Sequence, residues 1–369
     1  MSKAAELAKW GEVSTNGQVS GRRNIVINGA MNVAQRSVSE TGLGNSAGFK
    51  TVDRFKVNAD TGAATAGRYT MSQVADVHDG FANALKFECT TADTSIAAGE
   101  LFSLEYLFEG QDLQQLKKGT SDAEKVTVSF YVKGNASATY MLELKDTDNS
   151  RVIHSQFAVT TSWNRITITF NGDTTGALDD DNAKSLELRI WLHAGSNYTS
   201  GTYTANTWAS QTQANRAAGI TSFFDSTDRT FFITGVQLEV GSVATPFEHR
   251  SFGEELALCQ RYCHRINSNG SDDIQIGSGF YMTTTTCRIT INFPVTMRAE
   301  CAVTALDSGL DILRDNTSDT AVALTASIDE SAHGTGLNIE GAASTTVGEG
   351  VVLRLGTEAA NFIEFDAEL

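Results

Sequence analysis

The sequence predicts an all-β protein: a jelly-roll β-sandwich, a linking α-helix and a second, smaller β-sandwich. Glycine is abundant at 32 residues and proline is scarce at 2, a composition that suits sheets joined by glycine turns. Apolar and polar residues alternate with a period of two in many segments, which is the pattern of strands with one buried face. No long helical pattern separates these segments, so we expect antiparallel strands packed as a sandwich.

Seven segments of the first predicted domain carry the strand pattern. The last of them alternates Val236 and Leu238 with Gln237 and Glu239, which predicts one buried and one exposed face. Pro246 follows and cannot donate to a ladder, so the domain closes there. The predicted strands are Asn24–Gly29, Thr51–Val57, Val126–Lys133, Tyr140–Leu144, Ile166–Phe170, Leu186–His193 and Thr230–Val240.

The segment Ser251–Ile266 has the spacing of an amphipathic helix. Ser251 and Glu254 form a capping box at its start. Its apolar side chains form a seam that fits either packing on a sheet or self-association about an axis. The candidate oligomer interface is therefore this seam, which comprises Phe252, Leu256, Cys259, Cys263 and Ile266.

A smaller β domain is predicted after this helix. Its strands are Arg288–Phe293, Val322–Ile328, Gly350–Leu355 and Asn361–Glu368, with turns at Gly309, Gly334–Gly336 and Gly348–Gly350. The chain then has four parts, an N-terminal peptide, a jelly roll, a linking helix and a C-terminal β domain, with bounds 1–21, 22–250, 251–268 and 269–369.

The N-terminal peptide has the pattern of a segment that attaches the chain to another protein. Residues 2–10 fit a short amphipathic helix that is too short to be stable alone, so it needs a partner. A linker rich in glycine, serine, threonine and asparagine follows at 11–21. The alternative is a frayed N-terminus. The candidate attachment residues are Ala4, Leu7, Ala8 and Trp10.

Charge and cysteine content narrow the class of protein. The formal net charge is −16, which argues against nucleic-acid binding because that requires a positive surface. No run of eighteen apolar residues is present, so no membrane insertion is expected. The N-terminus lacks the pattern of a signal peptide. The spacing of the five cysteines does not match that of a disulfide framework, which predicts free thiols in a protein made in a cytoplasm.

The candidate ligand-binding residues lie in the loop Ala194–Gly219. Tyr198, Tyr203 and Trp208 stand there among serine, threonine, asparagine and glutamine. Sugars require aromatic faces beside polar side chains, so the loop is a candidate glycan site. The alternative is that these rings pack the loop onto the sandwich or fill a subunit contact.

Neither catalysis nor a resident cofactor is expected. No catalytic or phosphate-binding motif is present, and nothing singles out the pair of carboxylates that a glycosidase needs. Asp179–Asn182 is expected to be a solvated acidic turn. The alternative is a structural calcium site, but the twelve-residue pattern of a calcium-binding loop does not follow.

Four strands resemble those of jelly-roll carbohydrate-binding modules. The similar segments are NIVINGAMN from Asn24, VSFYVKG from Val128, TSWNRITITF from Thr161 and FFITGVQL from Phe231. These modules often hold structural calcium beside acidic residues. Here Thr234-Gly235 replaces an aspartate pair and Met31-Asn32 replaces Phe-Glu. The resemblance implies a sandwich over residues 24–240.

A second resemblance is to bacteriophage tail-fibre and related virion proteins. It rests on the opening MSKAAELAKW, on INGAMNVAQRS and TVDRF, on AGSNYTSGTY with QANR, and on GVQLEVGSVATPFEHRSFGEELALCQRY. It covers most of residues 1–266. The resemblance implies a homotrimer located in the virion, attached to other virion proteins by its N-terminus and contacting host surface glycans. The alternatives are a capsid-decorating or structural head or tail fibre without sugar binding, and a glycan depolymerase.

Overall fold

The all-β fold class is confirmed by a computed structural model, which describes residues 22–62, 66–305, 309–314, 317–319, 322–340 and 346–369. The predicted attachment residues Ala4, Leu7, Ala8 and Trp10 lie outside the described residues. The chain divides into two compact units, one ending at Glu255 and the other spanning Leu256–Glu368. In the described part of the chain, every helix is too short or too polar to cross a membrane.

The first unit is a jelly-roll sandwich of two antiparallel sheets. Its strands are β1 Ser39–Leu43, β2 Asn45–Phe49, β3 Phe55–Asp60, β4 Arg68–Val74, β5 Ala84–Thr91, β6 Leu101–Glu109, β7 Val126–Gly134, β8 Ala138–Asp146, β9 Arg151–Val159, β10 Asn164–Phe170, β11 Lys184–Ala194, β12 Ala209–Ser210 and β13 Thr230–Val240. The six-stranded sheet has the order β1-β4-β5-β13-β7-β10, and the seven-stranded sheet has the order β12-β9-β8-β11-β6-β3-β2.

Short helical elements occur in the connections of this unit. One α-helical turn, α1, spans Ser196–Thr199, and the 3-10 turns are Gly110–Asp112, Gln114–Leu116, Gln213–Asn215 and Phe223–Asp225.

Aromatic side chains from the two sheets meet between them. Tyr69 of β4 lies 4.3 Å from Phe102 of β6, measured between ring centroids. Phe130 of β7 packs edge-on against Phe157 of β9 at 5.2 Å. Such rings bury large apolar areas, so this layer contributes much of the stability of the unit.

The predicted strand Asn24–Gly29 is wrong, because this segment is irregular. Asn28 has φ +60°, which interrupts the extended backbone. The segment nevertheless runs beside β13: the Ile25 N–H donates to Leu238 O at 3.0 Å, and the Val236 N–H donates to Gly29 O at 2.9 Å. The two ends of the first unit therefore meet at β13, which is a central strand between β5 and β7.

The exposed face predicted for Gln237 and Glu239 is also wrong, because both side chains are buried. After β13 the chain folds back across the outer face of the six-stranded sheet. Glu239 Oε2 accepts a hydrogen bond from Thr245 N at 3.1 Å, and Gln237 Oε1 accepts one from Glu248 N at 2.9 Å. These bonds satisfy polar groups that burial would otherwise penalise.

A polar junction joins the start of this unit to its end. The Arg250 Nη1 group donates to Val26 O and to Glu255 Oε1, both at 3.1 Å. Glu255 Oε1 also accepts the Asn28 N–H at 2.5 Å. Two of the segments that resemble virion proteins, INGAMNVAQRS and PFEHRSFGEE, therefore meet here and hold the fold together.

The second unit is a smaller β-sandwich of three and seven strands. Helix α2, Phe252–Gln260, runs across the point at which the chain divides. The strands are β14 Cys263–Asn267, β15 Ile274–Tyr281, β16 Thr286–Asn292, β17 Ala302–Ala305, β18 Leu310–Arg314, β19 Thr317–Asp319, β20 Ala323–Ser331, β21 Gly334–Glu340, β22 Gly350–Leu355 and β23 Phe362–Asp366. The sheet orders are β14-β23-β17 and β19-β18-β22-β15-β16-β21-β20.

The predicted helical seam is wrong in its second half. The helix ends at Gln260, and Cys263 and Ile266 lie on β14, where they pair with Asp366 and Ile363 of β23. This pairing overrides the helical spacing, because it places a strand against the core of the second unit. The predicted linking helix 251–268 shortens accordingly.

The five seam residues therefore share no helical face. Cys259 and Cys263 are fully buried, whereas Phe252 is 59% exposed. Leu256 is half-buried on the helix. The oligomeric state stays a prediction, but it can no longer be argued from apolar residues on a single helix.

The predicted turn at Gly334–Gly336 is likewise wrong, because these residues open strand β21. A Cβ at Gly334 would lie 2.4 Å from Ile291 O, so glycine permits close approach of the two strands.

Candidate functional site

The loop 195–219 lies across the outer face of the seven-stranded sheet. Its short strand β12 pairs with β9, which fixes one side of the loop. Within it, the Ala217 N–H donates to Tyr198 O at 2.9 Å. Trp191 of β11 is fully buried beneath, with its ring centroid 5.2 Å from that of Tyr198. The loop therefore covers Trp191 and keeps it from solvent.

Buried ion pairs fasten this loop to the sheet. Arg216 of the loop donates from Nη2 to Glu143 Oε1 at 2.6 Å and from Nε to Glu143 Oε2 at 3.0 Å. On β11, Arg189 contacts Glu187 at 2.6 Å and Glu105 at 2.7 Å. Both guanidinium groups lie 4.9 Å from the centre of the Trp191 ring. The two arginines thus neutralise carboxylates that would be costly to bury alone.

The sequence-predicted rings all belong to this loop, and each has an internal partner. Tyr198 packs on Trp191. The Tyr203 hydroxyl accepts a hydrogen bond from Gln156 N at 3.1 Å, and its ring stacks on His154 at 5.7 Å. All three rings, Trp208 included, are half-buried.

Trp208 stands where the loop reaches β9, directly before the short edge strand β12. Its Nε1–H donates to Asn171 O at 2.7 Å, which fixes the plane of the indole. The Lys118 ammonium lies 5.2 Å from the ring centre, within the range of a cation–π contact. The following residues, Ala209 and Ser210, pair with β9. Tyr203 and Trp208 are thus held rigidly with part of each ring exposed.

A cluster around Lys118 was not predicted from the sequence. Its Nζ group lies 2.5 Å from Asp146 Oδ2, 3.1 Å from Asp173 Oδ2 and 2.9 Å from each of the carbonyl oxygens of Thr175 and Gly176. These residues are far apart in the sequence and follow no motif spacing, so no sequence signal could have brought them together.

The acidic turn Asp179–Asn182 has local partners instead. Asp181 Oδ1 accepts the Ala183 N–H at 2.9 Å, and the Asp179 N–H donates to Asp148 Oδ2 at 3.0 Å. Among the described residues, no group of three or more histidine, cysteine, aspartate and glutamate side chains is placed to hold a metal ion.

A serine–histidine–glutamate row lies buried at one end of the same sheet. His193 Nδ1 is 2.8 Å from Ser222 Oγ, and its Nε2 is 3.4 Å from Glu100 Oε2. Ser222 Oγ also accepts the Phe224 N–H at 3.1 Å and caps the 3-10 turn there. His193 is fully buried, so the row stabilises the fold and its histidine is neutral: burial lowers the pKa of His193 to about 4.

We expect this histidine to make the first unit sensitive to acid. An unfolded histidine has a pKa of about 6.5, so between that value and the folded value the unfolded state binds more protons. Stability is therefore lost as pH falls through this window, by roughly 2 kcal/mol between pH 7 and pH 5. Urea denaturation of the protein and of His193→Gln at both pH values measures the effect.

The variant should lose less stability than the wild type between the two pH values. Burial raises the pKa of Glu100, whose contribution has the opposite sign and is lost as pH rises. Glu100 is retained in both proteins, so comparing them isolates His193. Equal losses in the two proteins would show that His193 does not cause the acid sensitivity.

Solved structures that match this chain include several carbohydrate-binding modules. The CBM22-1 xylan-binding domain from Paenibacillus barcinonensis Xyn10C is 12% identical with a TM-score of 0.28, and the match covers 61% of this chain and 100% of that one. The family 11 module of a Clostridium thermocellum cellulosomal cellulase is 14% identical with a TM-score of 0.27, covering 63% and 100%.

A third match is TmCBM61 in complex with β-1,4-galactotriose, at 12% identity and a TM-score of 0.24, covering 59% of this chain and 99% of that one. Neither a family model nor a curated protein matches the sequence. At these scores the likenesses carry no argument about ligands, and the fold described above rests on the strand pairing of the chain itself.

Proposed function

We propose that this chain is a non-catalytic subunit of a bacteriophage virion fibre, that it is homotrimeric, and that it contacts host surface glycans with the loop 195–219. The observation that carries the glycan contact is the placement of Tyr203 and Trp208. Each ring is oriented by a hydrogen bond at its polar end and leaves part of its surface exposed. Preorganised rings of this kind bind sugars without the cost of ordering a loop.

The surroundings of the rings fit a sugar better than a charged or apolar ligand. The exposed Thr202 and Thr207 directly precede the two rings in the chain, and Gln213 is exposed further along the same loop. Hydroxyl and carboxamide groups form hydrogen bonds with sugar hydroxyls, while ring faces pack on the C–H groups of the pyranose. Weak single sites of this kind gain affinity when three copies act together.

A non-catalytic role is supported by the state of the carboxylates under the loop. Glu143, Glu187 and Glu105 each contact an arginine and are buried. Although burial opposes ionisation, the Arg189 guanidinium lowers the pKa of Glu187 below its usual range. Permanently paired carboxylates are poor general acids, which require a raised pKa.

A role without a resident metal is supported by Lys118. Its ammonium occupies a cage of two carboxylates and two carbonyl oxygens, which are the ligand types that calcium prefers. A side-chain cation thus neutralises the acidic cluster of this region.

The second candidate function is a structural fibre that binds no sugar. The observation that favours it is that Tyr198, Tyr203 and Trp208 all have internal partners, as packing residues do. In that case the rings serve to hold the loop, and their replacement changes stability alone.

Sugar binding by matched variants distinguishes the two. We expect Trp208→Ala to weaken binding to its best oligosaccharide on an array of bacterial surface glycans about tenfold, which corresponds to about 1.4 kcal/mol. Tyr203→Phe keeps the ring and loses only the hydroxyl that accepts the Gln156 N–H, so binding should weaken much less than in Trp208→Ala.

A wild-type protein that binds none of these glycans, although folded and assembled, supports the structural fibre. Hydrolysis of a bound glycan, seen as new reducing ends, supports the depolymerase alternative. Immunogold labelling of purified virions with antibodies against the second unit tests the virion location. Label on the capsid rather than the tail supports a capsid-decorating fibre.

A further inference from the structure

A cleft lies at one end of the first unit, outside the loop 195–219. The connection from β6 to β7 and the connection from β10 to β11 leave the same end of the sandwich, because Glu109 pairs with Lys184 and Val126 pairs with Phe170. The space between these connections has a volume of about 410 Å³, which is within the range of small-ligand sites. We call it the end cleft, and residues 113–122 and 177–178 line it.

The lining of the end cleft combines apolar and polar side chains. The buried side chains on it are Leu113 and Leu178. A sugar requires this combination, because its C–H groups pack on apolar surface while its hydroxyls need hydrogen-bonding partners. The exposed polar side chains on the lining are Gln114, Lys117, Thr120 and Asp122.

Close packing of the backbone holds the two connections together. Gly119 has φ +84°, and a Cβ there would lie 2.6 Å from Ala177 N, so glycine permits this approach. Lys118 bridges the same two connections, since its Nζ group donates to Thr175 O and Gly176 O at 2.9 Å each. The end cleft is therefore preformed, and a ligand binds there without the cost of ordering a loop.

Gln114 presents an oriented hydrogen-bond acceptor at the end cleft. Its Nε2 group donates to Gly110 O and to Asp179 O, each at 3.0 Å. These two bonds use both N–H groups of the carboxamide, so its Oε1 atom is the group that remains for a ligand. A sugar hydroxyl can donate to this oxygen, whereas an ionised carboxylate or phosphate has no proton to donate.

The charges at the end cleft favour a neutral sugar over an acidic one. Lys117 is paired with Glu124 at 2.7 Å, and Lys118 is paired with the buried Asp146. Asp122 adds a further carboxylate to the lining. Positive charge is therefore not in excess at the cleft, and an acidic sugar would gain little from electrostatic attraction.

The end cleft adjoins the proposed glycan contact. Lys118 lines both this cleft and a small space beside Trp208. The Lys118 ammonium lies 5.2 Å from the centre of the Trp208 ring. One residue thus separates the ring from the cleft, so a single oligosaccharide can contact both.

We propose that the end cleft is a second sugar-binding subsite, which takes a neutral sugar unit of the same glycan that contacts Trp208. The inference rests on the proposed glycan binding by the loop 195–219, and it extends the ligand to an oligosaccharide. Two adjoining subsites bind a long chain more tightly than either binds a single sugar, because the second contact is intramolecular.

The test compares the affinities for fragments of one glycan that differ in length. The probes are oligosaccharides from partial hydrolysis of the neutral bacterial surface polysaccharide that the wild type binds best, and titration calorimetry measures their binding. We expect the wild-type affinity to rise once a fragment is long enough to reach the end cleft. Gln114→Met and Ala177→Leu should each weaken binding of the long fragments about fivefold, as expected for the loss of a hydrogen bond or contact. Both should leave the shortest fragment that depends on Trp208 unaffected.

Gln115→Met is the matched control, because Gln115 is exposed on the same 3-10 turn and lies outside the lining of the cleft. This variant should bind every fragment as the wild type does. Ala177 is exposed, so Ala177→Leu narrows the cleft and should keep the wild-type melting temperature. The second variant therefore tests the subsite even if Gln114→Met loosens the turn.

Equal wild-type affinities for short and long fragments overturn the subsite, and so does wild-type binding of the long fragments by both cleft variants. If Trp208→Ala still weakens binding in that case, the proposed contact at the loop stands. Loss of long-fragment binding in the cleft variants, with no effect of Trp208→Ala, supports the cleft and contradicts the loop contact. A folded wild type that binds no neutral polysaccharide overturns the inference, and one that binds no glycan at all overturns the proposed glycan binding as well.

Discussion

Lys118→Met is expected to lower the free energy of unfolding of the first unit by about 3–5 kcal/mol, the cost of leaving a buried charge without its partner. Lys118 is 8% exposed and Asp146 is fully buried. Removal of the ammonium leaves the Asp146 carboxylate and the carbonyl groups of Thr175 and Gly176 without the cation that they surround. Urea denaturation followed by circular dichroism measures the change.

The neighbouring lysine provides the control. Lys117 pairs with Glu124 at 2.7 Å, but its side chain is 53% exposed. Exposed pairs contribute little, so Lys117→Met should change stability far less than Lys118→Met does. Equal effects of the two substitutions would show that the buried cage has no special role.

Two further variants examine the cage itself. Lys118→Met combined with Asp146→Asn removes both charges and should recover part of the lost stability. Lys118→Ala leaves an oxygen-lined space, so added calcium should raise the melting temperature of this variant and not that of the wild type. Stabilisation of the wild type by calcium would contradict the proposal that Lys118 takes the place of a metal ion.

The strands predicted most accurately from the sequence are those in which neighbouring segments do not change the alternation of buried and exposed residues. β22 was predicted with the bounds that it has, Gly350–Leu355, and the predictions for β7 and β13 differ from the structure by a residue or none. In β7 one set of alternating residues, including Val128 and Phe130, fills the core. An alternation with a period of two is a property of the segment itself, so these strands could be predicted from their own residues alone.

The failures share one cause, a distant segment that changes the environment of a local pattern. The residues from Cys263 have helical spacing but pair with β23, almost a hundred residues later. Gln237 and Glu239 alternate like an exposed face, yet Thr245 and Glu248 bury them. Long-range hydrogen bonds of this kind leave no trace in composition or periodicity.

The candidate site was predicted only in part for the same reason. The aromatic content of the sequence singled out the loop that carries Tyr198, Tyr203 and Trp208, and glycan binding by these residues stays a prediction. Their partners, such as His154 and Asn171, lie on other segments and could not be read from the loop.

Arg216→Met is expected to release the loop 195–219 from the sheet. Its guanidinium group is the cation that contacts Glu143, which is fully buried, through two hydrogen bonds. Breaking such a pair from one side costs about 3–5 kcal/mol, because the remaining carboxylate is left buried and unpaired. The loss of contact with the Trp191 ring adds to this cost.

The function of the loop should change together with its stability. Tyr203 and Trp208 are oriented only while the loop is docked, so sugar binding should fall in Arg216→Met although neither ring is altered. Limited proteolysis with mass spectrometry should show new cleavage within residues 195–219. Arg229→Met is the matched control, because Arg229 pairs with the partly exposed Asp225 and its loss should cost about 1 kcal/mol or less.

A double-mutant cycle separates the pair from the packing of the arginine stem. Arg216→Met combined with Glu143→Met replaces both charges by apolar groups, and it should restore most of the stability that the single variant loses. If the loop functions as a rigid glycan platform, the double variant also regains sugar binding, since the loop is docked again. A double variant that is stable but does not bind would show that the charge of Arg216, and not the docking of the loop, is what the sugar requires.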